Sequence, residues 1–241
     1  MFRASRSFAG GTPAVPANYL LIFVAPLAIN RYGNRIVRTR GPRKSDAQAA
    51  FGLKAHSGWA ALVVLGWRDG ELEVIERSRM ELVEEAWAKQ PYHAAEELAS
   101  AEAAKVVRRG IDAASRIALR EFGSVVKRTR QSGFEIRGCG LLVGEPMPKW
   151  SVAEILAVHF RMHKAEGVLF REVLAEAARA CDVKLVAIPE KALVTRAEEV
   201  LTTSKDSLSQ RITALGKSVG APWGKDQKDA VVAAMIALRR C

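Results

Sequence analysis

Apolar segments of two lengths follow one another along this chain in a definite order. Between residues 46 and 241, apolar runs of strand length come first and then alternate with longer stretches that have helical spacing. The early runs are joined at Arg68-Asp69-Gly70, where Asp-Gly supplies the positive φ angles of a tight hairpin turn. The resulting order, β-β-β-α-β-α-β-α, predicts an α/β fold with a mixed five-stranded sheet and helices on both faces.

The bounds of the predicted elements follow from periodicity and from the residues at their ends. Ser151, with Glu154 three residues later, forms a capping box that opens a helix. Pro189 stops the last predicted strand. We predict strands beginning at Phe51 and covering 59–65, 71–76, 136–144 and 183–188, and helices over 93–127, 151–179 and 196–219 and from Asp226 onward.

The first 45 residues differ in composition from the rest and are predicted to lie outside the domain, which we place at 46–241. Residues 1–44 contain eight Arg and Lys residues and no acid. Three interpretations stay open: a disordered basic tail, an organellar transit peptide, and upstream sequence translated from a mis-assigned start. The apolar run at 19–29 is too short to span a bilayer, so no membrane partner is expected.

The charge and the cysteines restrict the classes of partner and compartment. The chain has a formal charge of +11, but without residues 1–44 it has 29 basic and 26 acidic residues. Any phosphate-binding surface on the domain is therefore a local patch. Three cysteines without metal-ligand spacing are typical of reduced thiols in the cytoplasm. The patch that best fits a nucleic-acid contact is a run of arginines on the first long helix, formed by Arg108, Arg109 and Arg116. The alternative is that these arginines belong to a solvated helix face.

Two carboxylates open the last apolar helix. Asp226 and Asp229 are three residues apart, so they lie on one face about one turn apart. In the first turn they also complement the helix dipole. This pattern fits either the capping of a core helix or half of a divalent-metal site.

Several short motifs together resemble one known family. They are Gly52-Leu53-Lys54 with Ser57-Gly58-Trp59-Ala60, Leu141-Leu142-Val143-Gly144-Glu145, His163 to Leu169, Lys184 to Pro189, and Asp226-Gln227-Lys228-Asp229-Ala230. In type and order these segments resemble those of the RuvC-like Holliday-junction resolvases, which have the ribonuclease H-like three-layer fold. The resemblance covers about residues 50–240.

The resemblance implies a metal-dependent reaction and nucleic-acid partners. In that family carboxylates hold two Mg²⁺ ions that activate water at a phosphodiester, and Mn²⁺ is an alternative to Mg²⁺. Carried over by position, Glu145, Asp226 and Asp229 are the expected catalytic and metal-binding residues. The implied partners are DNA, including branched DNA, or RNA, and the implied assembly is a homodimer.

Lys54 departs from the family pattern, because it stands where the family has an aspartate on the first strand. An ammonium group has no acceptor and cannot ligate a cation. Three alternatives stay open: one metal remains, Lys54 contacts phosphate directly, or a register shift of two places His56 at the strand end.

The other histidines add further candidates. His159 and His163 are four residues apart with Glu166 three residues on, a spacing that fits either metal chelation or a solvated helix face. His93 fits a capping or packing role. Either His93 or His163 could also serve as a general base or phosphate contact.

Two functions follow from these observations. The first is a metal-dependent endonuclease acting on structured DNA with an impaired or altered metal site. The alternative is a catalytically inactive module of the same fold that binds nucleic acid or a protein partner. The expected nucleic-acid contacts in either case are Lys54, His56, His93 and the three arginines.

Overall fold

The computed structural model describes residues 47–241, in which five strands form a single mixed sheet. The strand order is β3-β2-β1-β4-β5. Strand β2 is antiparallel to both of its neighbours, whereas β1, β4 and β5 are parallel. This order and the helices on both faces confirm the predicted α/β fold with a mixed five-stranded sheet. The predictions for residues 1–45 lie outside the described residues. The strands are β1 (Gln48–His56), β2 (Trp59–Arg68), β3 (Glu71–Glu81), β4 (Glu135–Val143) and β5 (Leu185–Pro189).

The predicted hairpin between β2 and β3 is present. Asp69 and Gly70 have φ angles of 53° and 87°, as a two-residue turn of this kind requires. The turn fixes the register, with Arg68 opposite Glu71. The three opening strands therefore form a meander that later elements extend on the β1 side.

In the described part of the chain, six α-helices cover the sheet in two layers. Helices α1 and α3 pack with Phe51 and Leu53 of β1 in one core. Helices α4, α5 and α6 pack on the other face, where Val63 and Leu142 join a second core. Because successive strand residues point to opposite faces, Gly52 and Lys54 belong to the α6 face. The helices are α1 (Ser100–Gln131), α2 (Val152–Leu156), α3 (His159–Ala180), α4 (Leu193–Leu201), α5 (Lys205–Val219) and α6 (Lys225–Arg240).

Two glycines allow α6 to lie directly on the sheet. A Cβ atom on Gly52 would come within 1.8 Å of the carbonyl oxygen of Ala230, and one on Gly140 within 2.2 Å of that of Ala233. Only a residue without a side chain fits at either position. The close approach places the first turns of α6 over the end of β1.

Three of the predicted helices are wrong in their bounds. The first begins at Ser100 instead of residue 93, because residues 93–95 form a short 3-10 turn in which Glu166 holds His93. The second does have its capping box at Ser151, but it breaks at Val158, which is extended. Arg161 donates to the Glu154 carbonyl across this break.

The third predicted helix, over 196–219, is two helices. Thr202 ends α4 in the left-handed conformation, with a φ of 49°. Ser204 then caps α5 by accepting a hydrogen bond from the backbone of Ser207. Within residues 47–241, no helix has the length and apolar character needed to cross a bilayer.

Candidate functional site

The candidate site lies at the edge of the sheet where the parallel strands end. The carboxyl ends of β1, β4 and β5 meet there, and α6 begins beside them. In open α/β sheets this edge is the usual place for a ligand site. The close packing of α6 on Gly52 brings Asp226 and Asp229 to the end of β1.

The ammonium group of Lys54, in β1, lies between three carboxylates. Its Nζ atom donates to Asp229 Oδ2 at 2.7 Å. The same Nζ is 2.9 Å from Glu190 Oε1 and 3.3 Å from Asp226 Oδ1. Only 9% of the Lys54 side chain is exposed. One ammonium group therefore contacts three carboxylates from two different elements.

The electrostatics keep Lys54 charged. Burial by itself lowers the pKa of this ammonium, but the hydrogen bonds to Asp229 and Glu190 outweigh burial and hold its pKa above the usual range of lysine. Lys225 adds a second cation, since its Nζ is 2.6 Å from Asp229 Oδ2. Three carboxylates and two ammonium groups leave a formal charge of only −1 at this edge.

His56 ends β1 next to the same carboxylates. Its Nε2 atom is 3.2 Å from Asp226 Oδ2, but the two groups are not aligned for a hydrogen bond. The imidazole stacks on Trp59, its cross-strand partner, at a centroid distance of 4.2 Å. Asp226 thus lies between the Lys54 ammonium and the His56 ring.

Glu145 is held by a different partner from the aspartates. It lies two residues beyond the end of β4, and its side chain is mostly exposed. Its Oε1 accepts a hydrogen bond from Lys191 at 3.2 Å. The third carboxylate in contact with Lys54 is instead Glu190, which directly follows Pro189 at the end of β5. Glu190 was not among the predicted site residues, although its position just after a parallel strand was the available signal.

This arrangement does not fit the two Mg²⁺ ions that the family resemblance implies. Mg²⁺ requires an octahedral set of oxygen ligands. Here the Lys54 ammonium occupies the space between the carboxylates, with Asp229 and Glu190 as hydrogen-bond acceptors and Asp226 Oδ1 in ionic contact at 3.3 Å. An ammonium group has no lone pair for a metal, and its charge repels any other cation.

His93 contacts Glu166, and both His93 and His163 contact other histidines. The His93 Nδ1 atom is 2.9 Å from both carboxylate oxygens of Glu166. The ring centroids of His93 and His163 are 4.5 Å apart, and His159 completes the group. The structure therefore brings together His93, His159 and His163, whereas only the pair on α3 was predicted to lie together.

The three arginines lie on α1 with exposed side chains. Arg109 is 3.4 Å from Glu85 Oε1, and its guanidinium lies 5.0 Å from the centre of the Trp87 ring. Arg109 and Arg116 both line a surface pocket of about 330 Å³ that also contains Glu84 and Glu85. This face therefore mixes arginines with acidic residues.

The comparisons with known proteins concern the fold. No protein-family model and no curated protein matches the chain. Among solved structures, the chain is similar to T. thermophilus RuvC in complex with a Holliday junction substrate, at 11% identity and a TM-score of 0.45. It is also similar to a second Thermus thermophilus RuvC structure, at 13% identity and a TM-score of 0.41. Each match covers 78% of this chain and 92% of that chain.

Proposed function

We propose that this chain is a catalytically inactive module of ribonuclease H-like fold that binds nucleic acid. The observation that supports the loss of catalysis is the position of the Lys54 ammonium, 2.7–3.3 Å from oxygens of Asp229, Glu190 and Asp226. A metal-dependent endonuclease needs these oxygens for its ions. In this chain the Lys54 ammonium already contacts these oxygens.

The repulsion between the Lys54 ammonium and a divalent metal ion is large enough to support the loss of catalysis. At an effective dielectric constant of about 20, a unit charge and a divalent ion about 4 Å apart repel each other by about 8 kcal/mol. That repulsion cancels the attraction of one carboxylate at the same distance. Lys225 neutralises another, so the edge retains too little negative charge to gather two divalent ions.

The proposed nucleic-acid surface lies away from this edge, because an edge with a formal charge of −1 does not attract phosphate. Residues 1–44 provide eight positive charges and no acid. On the domain, Arg108 and Arg116 of α1 are exposed. Arginines on one helix face contact the phosphate backbone without reading sequence, so we expect salt-dependent binding with little base preference.

The test uses the full chain with labelled four-way junction, duplex DNA, single-stranded DNA and RNA. Mg²⁺ and Mn²⁺ are added separately, and both binding and cleavage are measured. We expect binding that weakens as salt rises and no cleavage with either ion. Metal-dependent cleavage that is lost in an Asp226→Asn, Asp229→Asn double variant would overturn the proposal and favour the endonuclease.

A second pair of variants tests the surface. Arg108→Glu with Arg116→Glu should lower affinity about tenfold or more, because two phosphate contacts become repulsive. Lys205→Glu with Lys217→Glu changes the charge equally, but these exposed residues lie on α5, across the sheet. Equal losses in both variants would contradict a role for α1. No binding to any probe would contradict the nucleic-acid function and favour a protein partner.

The homodimer implied by the family resemblance is a separate proposal. Light scattering on the full chain, alone and with junction DNA, would give the molar mass directly. A mass of two chains on one junction would support it, and one chain per junction would contradict it.

A further inference from the structure

Three of the four histidines in this chain converge from two segments far apart in sequence. His93 lies in the 3-10 turn between β3 and α1, while His159 and His163 lie on the first two turns of α3. Each residue offers a ligand atom, and these atoms all lie within 4.8 Å of one another. The ring centroids are 4.5–5.1 Å apart. Spacing along one helix explains the second and third histidines but not the first.

A buried carboxylate orients His93. Glu166 is only 2% exposed, and it accepts hydrogen bonds from both the backbone N–H and the Nδ1 of His93. Because a carboxylate accepts at this position, Nδ1 carries a proton, and in the neutral imidazole the lone pair is then on Nε2. A carboxylate that binds the far nitrogen of an imidazole is the usual outer partner of a metal-ligating histidine.

The other nitrogen of His93 has no hydrogen-bond partner among the residues that the structure describes. Its Nε2 atom is shielded from solvent and makes no hydrogen bond within residues 47–241. A buried polar atom in this state costs free energy unless something pairs with it. A cation at the centre of the three rings would accept this lone pair.

The two histidines of α3 already have nearly the separation of metal ligands. Their Nε2 atoms are 3.1 Å apart. With metal–nitrogen bonds of about 2.0–2.1 Å, two ligands of a tetrahedral ion are about 3.3 Å apart. The His159 Nδ1 lies 3.8 Å from Glu96 Oε1, so a second carboxylate is near the outer nitrogen of that ring.

We propose that His93, His159 and His163 form a binding site for Zn²⁺ or a closely similar divalent transition-metal ion. Three neutral imidazoles suit these ions, whereas Mg²⁺ and Ca²⁺ require oxygen ligands. His159 and His163 are exposed, so the fourth position faces solvent and a water molecule would complete the tetrahedron. The ion would tie the turn at residues 93–95 to the start of α3. The site is independent of the carboxylates around Lys54 and of the proposed function.

The test measures Zn²⁺ binding by the full chain without a histidine tag, after treatment with a chelator. Competition with a chromophoric chelator gives the affinity and the stoichiometry, and Co²⁺ absorption in the visible region reports tetrahedral geometry. We expect one ion per chain. We also expect the melting temperature to rise with Zn²⁺, because only the folded chain brings the ligands together.

Four variants separate this site from weaker binding. His93→Ala and His163→Ala should each weaken Zn²⁺ binding by about 100-fold or more, and Glu166→Gln by about 10- to 100-fold as an outer partner. His163 is exposed, so its variant tests the site even if His93→Ala fails to fold. His56→Ala removes the fourth histidine and is the matched control, with no expected change.

Three outcomes would overturn the proposal. If wild type binds no Zn²⁺, the histidines form a hydrogen-bonded cluster only. If His93→Ala folds and binds as tightly as wild type, the ion uses only the pair on α3. If instead His56→Ala loses the ion, the metal lies at the sheet edge beside Asp226.

Discussion

The Nζ atom of Lys54, near the end of β1, lies 2.7 Å from Oδ2 of Asp229 in α6, a residue 175 positions further along the chain. This contact joins the first strand to the last helix. It rests on the close packing of α6 against Gly52, which leaves no room for a side chain between them.

Removing the Lys54 charge should destabilise the fold. In Lys54→Met, the three carboxylates lose their shared cation and repel one another. Breaking a buried ion pair costs about 3–5 kcal/mol, and the partial exposure of the carboxylates reduces the expected loss to about 2 kcal/mol. Urea denaturation would measure it. Lys191→Met removes only the exposed pair with Glu145 and should leave the stability unchanged, so equal losses would contradict the prediction.

The stabilisation by Lys54 should disappear at high pH. Its pKa is higher in the folded chain than in the unfolded chain, because hydrogen bonds to Asp229 and Glu190 outweigh burial. The contribution is therefore complete below the unfolded value of about 10.4 and is lost as the pH rises above it. Urea denaturation at several pH values should show a constant difference between wild type and Lys54→Met up to about pH 10 and a smaller difference above.

Comparing the two proteins removes the other alkaline effects. Burial raises the pKa of the Cys139 thiol, and it raises that of the Tyr92 hydroxyl. Both groups lower the stability of wild type and variant alike as the pH rises. A difference that falls already between pH 7 and 9 would show that Lys54 is not its source.

Replacing Lys54 by aspartate should create Mg²⁺ binding at the sheet edge. Lys54→Asp removes the cation and adds a fourth oxygen ligand beside Asp226 and Asp229. We expect millimolar Mg²⁺ to raise the melting temperature of this variant and not that of wild type. Lys54→Asn, which adds no charge, is the control. An equal rise in the melting temperature of wild type would contradict the prediction, because it would mean that Mg²⁺ binds although Lys54 is present. The three histidines do not confuse this test, because Mg²⁺ binds imidazole poorly.

Replacing glycine by alanine should change the stability in opposite directions at Gly52 and at Gly123. Gly52→Ala places a Cβ within 1.8 Å of a backbone oxygen and should cost about 3 kcal/mol or more, because neither backbone can move away. Gly123→Ala lies within α1 and meets only the Cys181 sulfur at 3.7 Å. That change should stabilise the chain by about 0.5–1 kcal/mol through helix propensity. Thermal denaturation of both variants would check the pair, and a neutral Gly52→Ala would contradict the packing.

The features that the sequence predicted well are local. Asp69-Gly70 and the capping box at Ser151 each act within four residues, and both are present in the structure. The sheet was predictable because apolar runs bounded by turns leave few alternative topologies. The spacing of Asp226 and Asp229 likewise placed both on one face of α6, and both contact Lys54.

The features that it missed depend on contacts between distant residues. Nothing near His93 in the sequence indicates that Glu166 will hold it, 73 residues away, and this contact accompanies the later start of α1. Glu145 and Glu190 both follow parallel strands by one or two residues. The difference between them, contact with Lys191 or with Lys54, arises only when the strands lie side by side.

The cation that contacts the three carboxylates of Asp226, Asp229 and Glu190 is part of the protein. The ammonium of Lys54 is covalently part of the chain, so it is present at one equivalent per molecule at every dilution. Neither chelators nor changes in the magnesium supply can remove it. Its positive charge therefore contacts Asp226 and Asp229 as soon as β1 and α6 meet, and this contact does not depend on the supply of divalent ions.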